Sequence, residues 1–260
     1  MRTLIIADAH VGQRQGDAAA MAGLIERAVT SGVGEIVYLG DVCQYLIGLE
    51  KLWTGTVRTV VAAWDAARAA GVRIVLVEGN RDFFLDEPDL ACHIDASGLR
   101  YELSAGGRRF RLAHGDRANR RDLQYRFWAA VSKSLVARLV ARSLPRGLAM
   151  RIVRSMEARL AATNRRFRYR KPVKELRAEA ERAWLEGVEV VLWGHFHTPW
   201  RYERDGKVAL VVPAWLDFGL SILVEPDGTW GLVEKTLTPA EHVPTMDACP
   251  DGRQANPVPS

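Results

Sequence analysis

The sequence is poor in cysteine. Its 260 residues include only Cys43, Cys92 and Cys249, odd in number and far apart, so neither a disulfide framework nor a CxxC zinc site follows. A run of 18 uncharged apolar residues is also missing, which excludes a transmembrane helix. Residues 1–10, MRTLIIADAH, start as a strand and have no long apolar core ending in a small-residue cleavage site. They therefore do not read as a signal peptide. There is no internal repeat and no low-complexity tract. Charged residues make up 26% and AVILMFWYC 48% of the chain. That excludes wholesale disorder and suffices for one large core, or a core plus a smaller cap.

Acidic residues are scarce in one stretch. From Arg117 to Lys174, 17 Lys/Arg face two acids, Asp122 and Glu157; this stretch carries +15 and, with a total of +5, the remainder carries −10. So one-sided a segment points to an anionic partner such as nucleic acid, lipid headgroups or a phosphorylated substrate. Within it, Trp128, Val131, Leu135, Val136, Leu139, Val140, Leu144, Leu148, Ile152, Val153, Met156 and Leu160 recur at helical spacing, interrupted at Pro145-Arg-Gly147. The pattern predicts a helical insertion folded on itself, residues 117–174, standing off a core of residues 1–116 and 175–235. The last 22 residues hold five of eleven prolines, and 236–260 is expected to be a disordered tail.

Elsewhere short apolar runs alternate with helical stretches. Thr3–Ala7, Glu35–Leu39, Arg73–Val77 and Val188–Trp193 read as buried strands, with helices at 17–31 and 56–71 between them. That order implies a largely parallel sheet. Strands near 100–104, 108–113, 207–213 and 220–225 read as hairpin elements, with Gly106-Gly107 and Asp205-Gly206 as turns. The expected fold is α/β, two packed sheets with outer helices.

The chemistry-bearing residues fall at the ends of those strands. Asp8 and His10 stand in ADAH, Asp41 in LGD, Asn80 in EGNRD, His114 in AHGD, and His195 and His197 in WGHFHTP. Ligands in open α/β folds gather beyond the carboxyl ends of strands, so these residues are expected to converge. Two carboxylates, one amide and four imidazoles suit two divalent ions such as Mn²⁺, Fe²⁺, Co²⁺ or Zn²⁺. Two ions about 3.5–4 Å apart can clamp a phosphoryl group during in-line displacement. In D-x-H and H-x-H, strand-like alternation would send two ligands the same way. Asp82 and Asp116, each beside a ligand, are expected to orient an imidazole or close a turn. His93 and His242 fall outside the pattern and read as surface or structural.

D-x-H, GD, GN, H-G-D and GHxH in that order resemble the calcineurin-like metallophosphoesterases over roughly residues 1–235. The resemblance implies a four-layer α/β/β/α sandwich. It implies that Asp8, His10, Asp41 and His197 bind one metal and that Asp41, Asn80, His114 and His195 bind the other, Asp41 being the bridge. Asp41, Asn80, His114 and His195 would be the catalytic residues. GNRDFF, Arg81 in place of the more common His, Asp122 and Tyr125 after HGD, and the helical insertion narrow the resemblance to the UDP-2,3-diacylglucosamine pyrophosphatases of lipid A synthesis. That family implies hydrolysis of UDP-2,3-diacylglucosamine to UMP and 2,3-diacylglucosamine 1-phosphate (lipid X), with Mn²⁺. Asn80, Arg81, Asp122, Tyr125, Arg165, Arg166 and His195 would bind substrate. The family's basic insertion shelters acyl chains and touches the anionic inner-membrane surface, implying a cytoplasmic, peripheral protein.

The chain departs from that family at Val42-Cys43-Gln44-Tyr45-Leu46-Ile47-Gly48 and at PAWLDFG, leaving the metal ligands themselves untouched. Aliphatic rather than aromatic interleaving of the basic residues argues against nucleic acid. A soluble nucleotide-sugar pyrophosphatase would need no apolar cap, and a scaffold that had lost its metals would not keep the full ligand set. No protein partner is predicted.

Overall fold

The computed structural model describes residues 1–118, 123–152, 155 and 171–241. Thirteen strands and seven α-helices are set out below among these residues. The first sheet has the order β13-β12-β1-β2-β4-β6. Its strands β1 (Arg2–Ile6), β2 (Val33–Leu39), β4 (Arg73–Val77) and β6 (Ala96–Gly98) run parallel, and β12 (Ser221–Val224) and β13 (Trp230–Val233) add antiparallel at one edge. The second sheet has the order β10-β11-β9-β8-β7. It contains β7 (Arg100–Ala105), β8 (Arg108–Ala113), β9 (Val190–Trp193), β10 (Trp200–Arg204) and β11 (Lys207–Val211).

Residues of the inner strands β1, β2, β4 and β9 alternate between two buried faces, which is why these segments read as nearly continuous apolar runs. In the first sheet, Ile5, Val37, Leu39, Val75 and Val77 meet Phe110, Leu112, Val190, Leu192 and Leu210 of the second. Their neighbours Leu4, Ile36, Tyr38 and Ile74 face outward onto α1 (Asp17–Thr30) and α2 (Gly55–Ala69), against Met21, Leu24, Val60 and Trp64. The buried Tyr38 hydroxyl accepts from Trp64 Nε1 at 3.0 Å, so this polar pair costs little inside the core. The fourth layer is α6 (Val173–Leu185), whose Leu176, Ala180, Ala183 and Trp184 lie at helical spacing and pack on Val191, Trp193, Ala209 and Val211. The result is the four-layer α/β/β/α sandwich. Hairpin turns fall at 106–107 and 205–206 as read. Val188 precedes β9 because its N–H caps α6 at Ala183 O, 3.1 Å away.

The basic segment holds α4 (Leu123–Ser132), α5 (Leu135–Ser143) and helical backbone at 146–152. These lie against a two-stranded parallel ladder, β3 (Leu46–Ile47) with β5 (Asp82–Phe83), and the short α3 (Pro88–Ala91). Phe83, Phe84, Ile47 and Leu52 bury against Ala149, with Ala137, Ala141 and Leu144 packed alongside. The segment's cations are partly consumed by the core: Lys133 pairs with Glu78 at 2.5 Å, Arg138 with Asp86 at 2.5 Å and Arg142 with Glu87 at 2.6 Å. Beyond β13 the chain folds back, Ala240 N donating to Leu232 O at 3.0 Å. The rest of the predicted tail, 242–260, lies outside the described residues.

Candidate metal centre

β1, β2, β4, β8 and β9 end at Ile6, Leu39, Val77, Ala113 and Trp193, and each candidate ligand follows one of these ends. The pleat has stopped there, so alternation along a strand is not what aims the paired ligands. Five of the seven take left-handed backbone: Asp8 (φ 48°), His10 (43°), Asp41 (51°), His195 (70°) and His197 (47°). For residues with a Cβ this costs on the order of 1–3 kcal/mol each and persists only where the surroundings impose it. The residues between the pairs turn away into the core, Ala9 toward the α1 side and Phe196 toward the α6 side.

The side chains converge as two groups. Ligand atoms of Asp8, His10 and His197 lie within 4.8 Å of one another, as do those of Asp8, Asp41 and His114. His10 Nε2 and His197 Nε2 face each other at 3.2 Å with stacked rings. Asp41 turns Oδ2 toward His10 Nε2 (3.7 Å) and Oδ1 toward His114 Nε2 (3.6 Å), one oxygen to each group. Asn80 Oδ1 stands 3.1 Å from His114 Nε2 and 3.0 Å from His195 Nδ1.

These residues fit divalent ions by their own chemistry. Asp8 Oδ1 is buried without a hydrogen-bond partner, 4.0 Å from both His10 Nε2 and His197 Nε2. His197 Nδ1 donates to Asp217 Oδ2 and His114 Nδ1 donates to Leu39 O, each at 2.7 Å. In its neutral form each ring would thereby present a lone pair at Nε2. Lone pairs and carboxylate oxygens gathered with few donors need shared cations.

The loops leave no slack. A Cβ on Gly194 would lie 2.6 Å from Asp8 Oδ2, and one on Gly79 would lie 2.5 Å from Asp41 N and Oδ1. Those approaches let His195 N donate to Asp8 Oδ2 at 2.6 Å and Arg81 N donate to Asp41 Oδ1 at 2.8 Å. Asp82 closes the turn as expected, accepting from Gly79 N and Asp41 N at 2.8 Å.

Ionisation reflects this crowding. Burial and the adjacent Asp41 push Asp82 up to about 7. Burial works against an ionised Asp41, but His114, His10 and Arg81 overcome it and hold the carboxyl well below its usual range. Burial dominates at Asp8, which is raised. Burial opposes a charged His114, yet Asp41 and Asp8 lift it to about 9, whereas burial and His114 itself lower His195 to about 4. Asp116 acts on both imidazoles through its charge.

Arg81 is buried, with Nε 3.7 Å from Asp41 Oδ2 and its guanidinium 5.6 Å over the Tyr45 ring. Tyr45 also lines an apolar cavity of about 260 Å³ with Phe83, Phe84, Val140, Leu144 and Ile152. On the His114 side a second cavity of about 380 Å³ runs between α6 and the β7–β8 edge, lined by Arg100, Asp116, Glu179 and Arg182 among others. Of the other site residues read from sequence, Tyr125 lies on α4, and Asp122, Arg165 and Arg166 lie outside the described residues. His93 is not near the centre; it pairs with Asp65 at 2.7 Å.

Two residues that touch the centre's supports escaped the sequence reading. Asp217 stands on α7 (Trp215–Phe218), 20 residues from the imidazole it orients. Its only sequence signal is its place in PAWLDFG. Lys133 reaches the Asn80 loop from α4's end.

A scan against protein-family models matches none. Among curated proteins, the UDP-2,3-diacylglucosamine hydrolase of Ralstonia nicotianae is 31% identical over 247 residues, covering 86% of this chain and 87% of that protein. The chain belongs to the UDP-2,3-diacylglucosamine hydrolase family. It is a hydrolase. The family member from Aeromonas salmonicida is 27% identical over 254 residues, covering 91% and 94%. Among solved structures, a dimetal phosphatase from Danio rerio matches at 16% identity and a TM-score of 0.46, covering 90% of this chain and 92% of that one. No helix among the described residues is long and apolar enough to cross a membrane.

Proposed function

We propose that this hydrolase cleaves the diphosphate of UDP-2,3-diacylglucosamine, giving UMP and 2,3-diacylglucosamine 1-phosphate. Water oxygen adds to the uridine-bearing phosphorus, and the bond to the bridging oxygen breaks. Asp8, His10, Asp41 and His197 would hold one divalent ion and Asp41, Asn80, His114 and His195 another, Mn²⁺ being the ion the family resemblance implies. Bound there, the ions supply Lewis-acid charge to phosphoryl oxygens and acidify a water. Asp217 and Leu39 O keep His197 and His114 in the ligating tautomer. Arg81, braced by Tyr45 and Asp41, offers a permanently charged planar fork to the sugar-side phosphate.

The observation that carries the substrate assignment is the apolar cavity beside Arg81. Its lining suits acyl chains, with residues 117–174 as a cap on the 1–116 and 175–235 core. The cavity on the His114 side has both arginines and acids, which suits the hydrogen-bonding but uncharged nucleoside better than a polyphosphate. Asp122, Tyr125, Arg165 and Arg166 complete the substrate contacts in this reading. Exposed Phe127, Leu135, Val136 and Leu139, together with the exposed Arg146 and Arg151 of the same segment, would rest on the anionic cytoplasmic face of the inner membrane.

The test is UMP release from UDP-2,3-diacylglucosamine with Mn²⁺, beside Asp41→Ala. Mn²⁺-dependent release that the substitution abolishes is the expected result. Cleavage of a generic phosphodiester without UMP release would retain the hydrolytic centre and discard the lipid substrate.

A further inference from the structure

Between Arg117 and Arg170 the chain has one lysine, Lys133, among fourteen arginines. Arginine is a broad planar fork, while lysine is a compact point charge with three donors. The structure gives those donors three converging partners. Lys133 Nζ lies 2.5 Å from Glu78 Oε1 and 2.6 Å from Gly79 O, and 5.5 Å from the centre of the Phe83 ring. Both members of the ion pair are largely buried, with side-chain exposures of 14% and 22%. A charge-assisted pair in that setting holds its geometry better than a solvated one.

The three partners flank Asn80. Glu78 and Gly79 come immediately before it, and Phe83 follows three residues later. Gly79 is gripped on both sides, its N–H donating to Asp82 Oδ2 and its carbonyl accepting from Lys133. Asn80 follows this clamped glycine and places Oδ1 between His114 and His195. Lys133 terminates α4 of the basic segment, so one ammonium joins that segment to the loop that aims Asn80.

We propose that Lys133 is a positioning residue for the Asn80–His114–His195 metal site, making that site's affinity depend on the docked basic segment. This rests on the reading of Asn80 as a metal ligand, and it is independent of the lipid substrate. Groups that orient metal ligands from behind typically change affinity about 10–100-fold when removed.

The experiment is Mn²⁺ titration of the metal-free full-length chain by calorimetry, with the Mn²⁺ electron paramagnetic resonance spectrum followed in parallel. The wild type should bind two ions. Lys133→Met should weaken the second about 10–100-fold and leave the first unchanged, and Lys133→Arg should recover part of the loss. Arg138→Met loosens the same segment by removing its pairs with Asp86 and Glu87 and its contact with the Phe84 ring, and touches nothing in 78–83, so it should leave both affinities intact. If Lys133→Met impairs folding, Glu78→Gln removes the ion pair while keeping the lysine, and should weaken the second ion alone. Two ions bound with wild-type affinity by Lys133→Met or, if that variant does not fold, by Glu78→Gln overturns the proposal. So does an equal loss in Arg138→Met, which would assign the effect to general loosening. A wild type that binds a single ion overturns the two-ion reading beneath it.

Discussion

In the candidate metal centre, carboxylates and imidazoles are sunk among strand ends; in the basic segment, Lys133, Arg138 and Arg142 pair directly with acids of the core. The centre contains a buried carboxylate oxygen, Asp8 Oδ1, with no hydrogen-bond partner, and left-handed backbone at five candidate ligands. The segment has ordinary helices, and its pairs Lys133–Glu78, Arg138–Asp86 and Arg142–Glu87 neutralise charge locally. Density of charge therefore means different things in the two places. Where desolvated groups lack protein partners, the arrangement suits an outside cation. Where partners exist, part of the charge is glue. The +15 of the segment overstates what it offers to an anionic partner.

Removing Asp41, whose carboxylate faces both His10 and His114, should break the comparison most sharply. Asp41→Ala should lower phosphodiester hydrolysis by about 10³-fold or more, as for loss of a main electrostatic contact to the transition state. Its bound metal, measured by elemental analysis, should fall as well. Retained metal and activity would mean that the buried charges are merely structural.

Next in size is Asp217→Ala. Losing the carboxylate that holds His197 Nδ1 should weaken Mn²⁺ binding about 10–100-fold in a calorimetric titration. An unchanged isotherm would remove Asp217 from the account of the centre.

On the other side of the comparison, Val140→Asp puts a carboxylate in the apolar cavity. It should raise KM for the long-chain lipid substrate about tenfold, equivalent to about 1.4 kcal/mol of lost apolar contact. Turnover of a water-soluble diester should be untouched. Equal effects on both substrates would show that the cavity is not an acyl site.

The smallest effect concerns one surface pair. Arg138 beside Asp86 holds that carboxyl below its usual range. A depressed folded-state pKa contributes stability above the unfolded value of about 3.9 and loses it as pH falls through the lower folded value. The wild type should therefore melt slightly above Asp86→Asn near neutral pH, and the difference should vanish in strong acid. Asp86 is mostly exposed, so solvent screening keeps the contribution under about 1 kcal/mol. A difference that persists in acid would mean that the pair is not its source.

Much of the sandwich was legible because each inner strand is a short apolar run ending in polar or glycine-containing sequence. Arg73–Val77 was read to the residue, and both hairpin turns were found. Other parts were not. The β3–β5 ladder is two residues long and carries no period. The left-handed backbone at Asp8, His10 and Asp41 lies where segments distant in sequence come close, Gly194 against Asp8 and Gly79 against Asp41. Asp217 and Lys133 touch supports 20 and 54–55 residues away, and short-range patterning has no access to such pairs.

By itself the sequence determined the order of strands and the ligand types at their ends, because burial and strand period are local properties of the chain. It also determined where positive charge accumulates. Only the tertiary structure decided which oxygen of Asp41 faces which imidazole, which carboxylate orients His197, and how much of the segment's charge the core absorbs. Those choices depend on distances of a few ångströms between segments far apart in sequence, and both Coulomb and hydrogen-bond energies fall off over that same range.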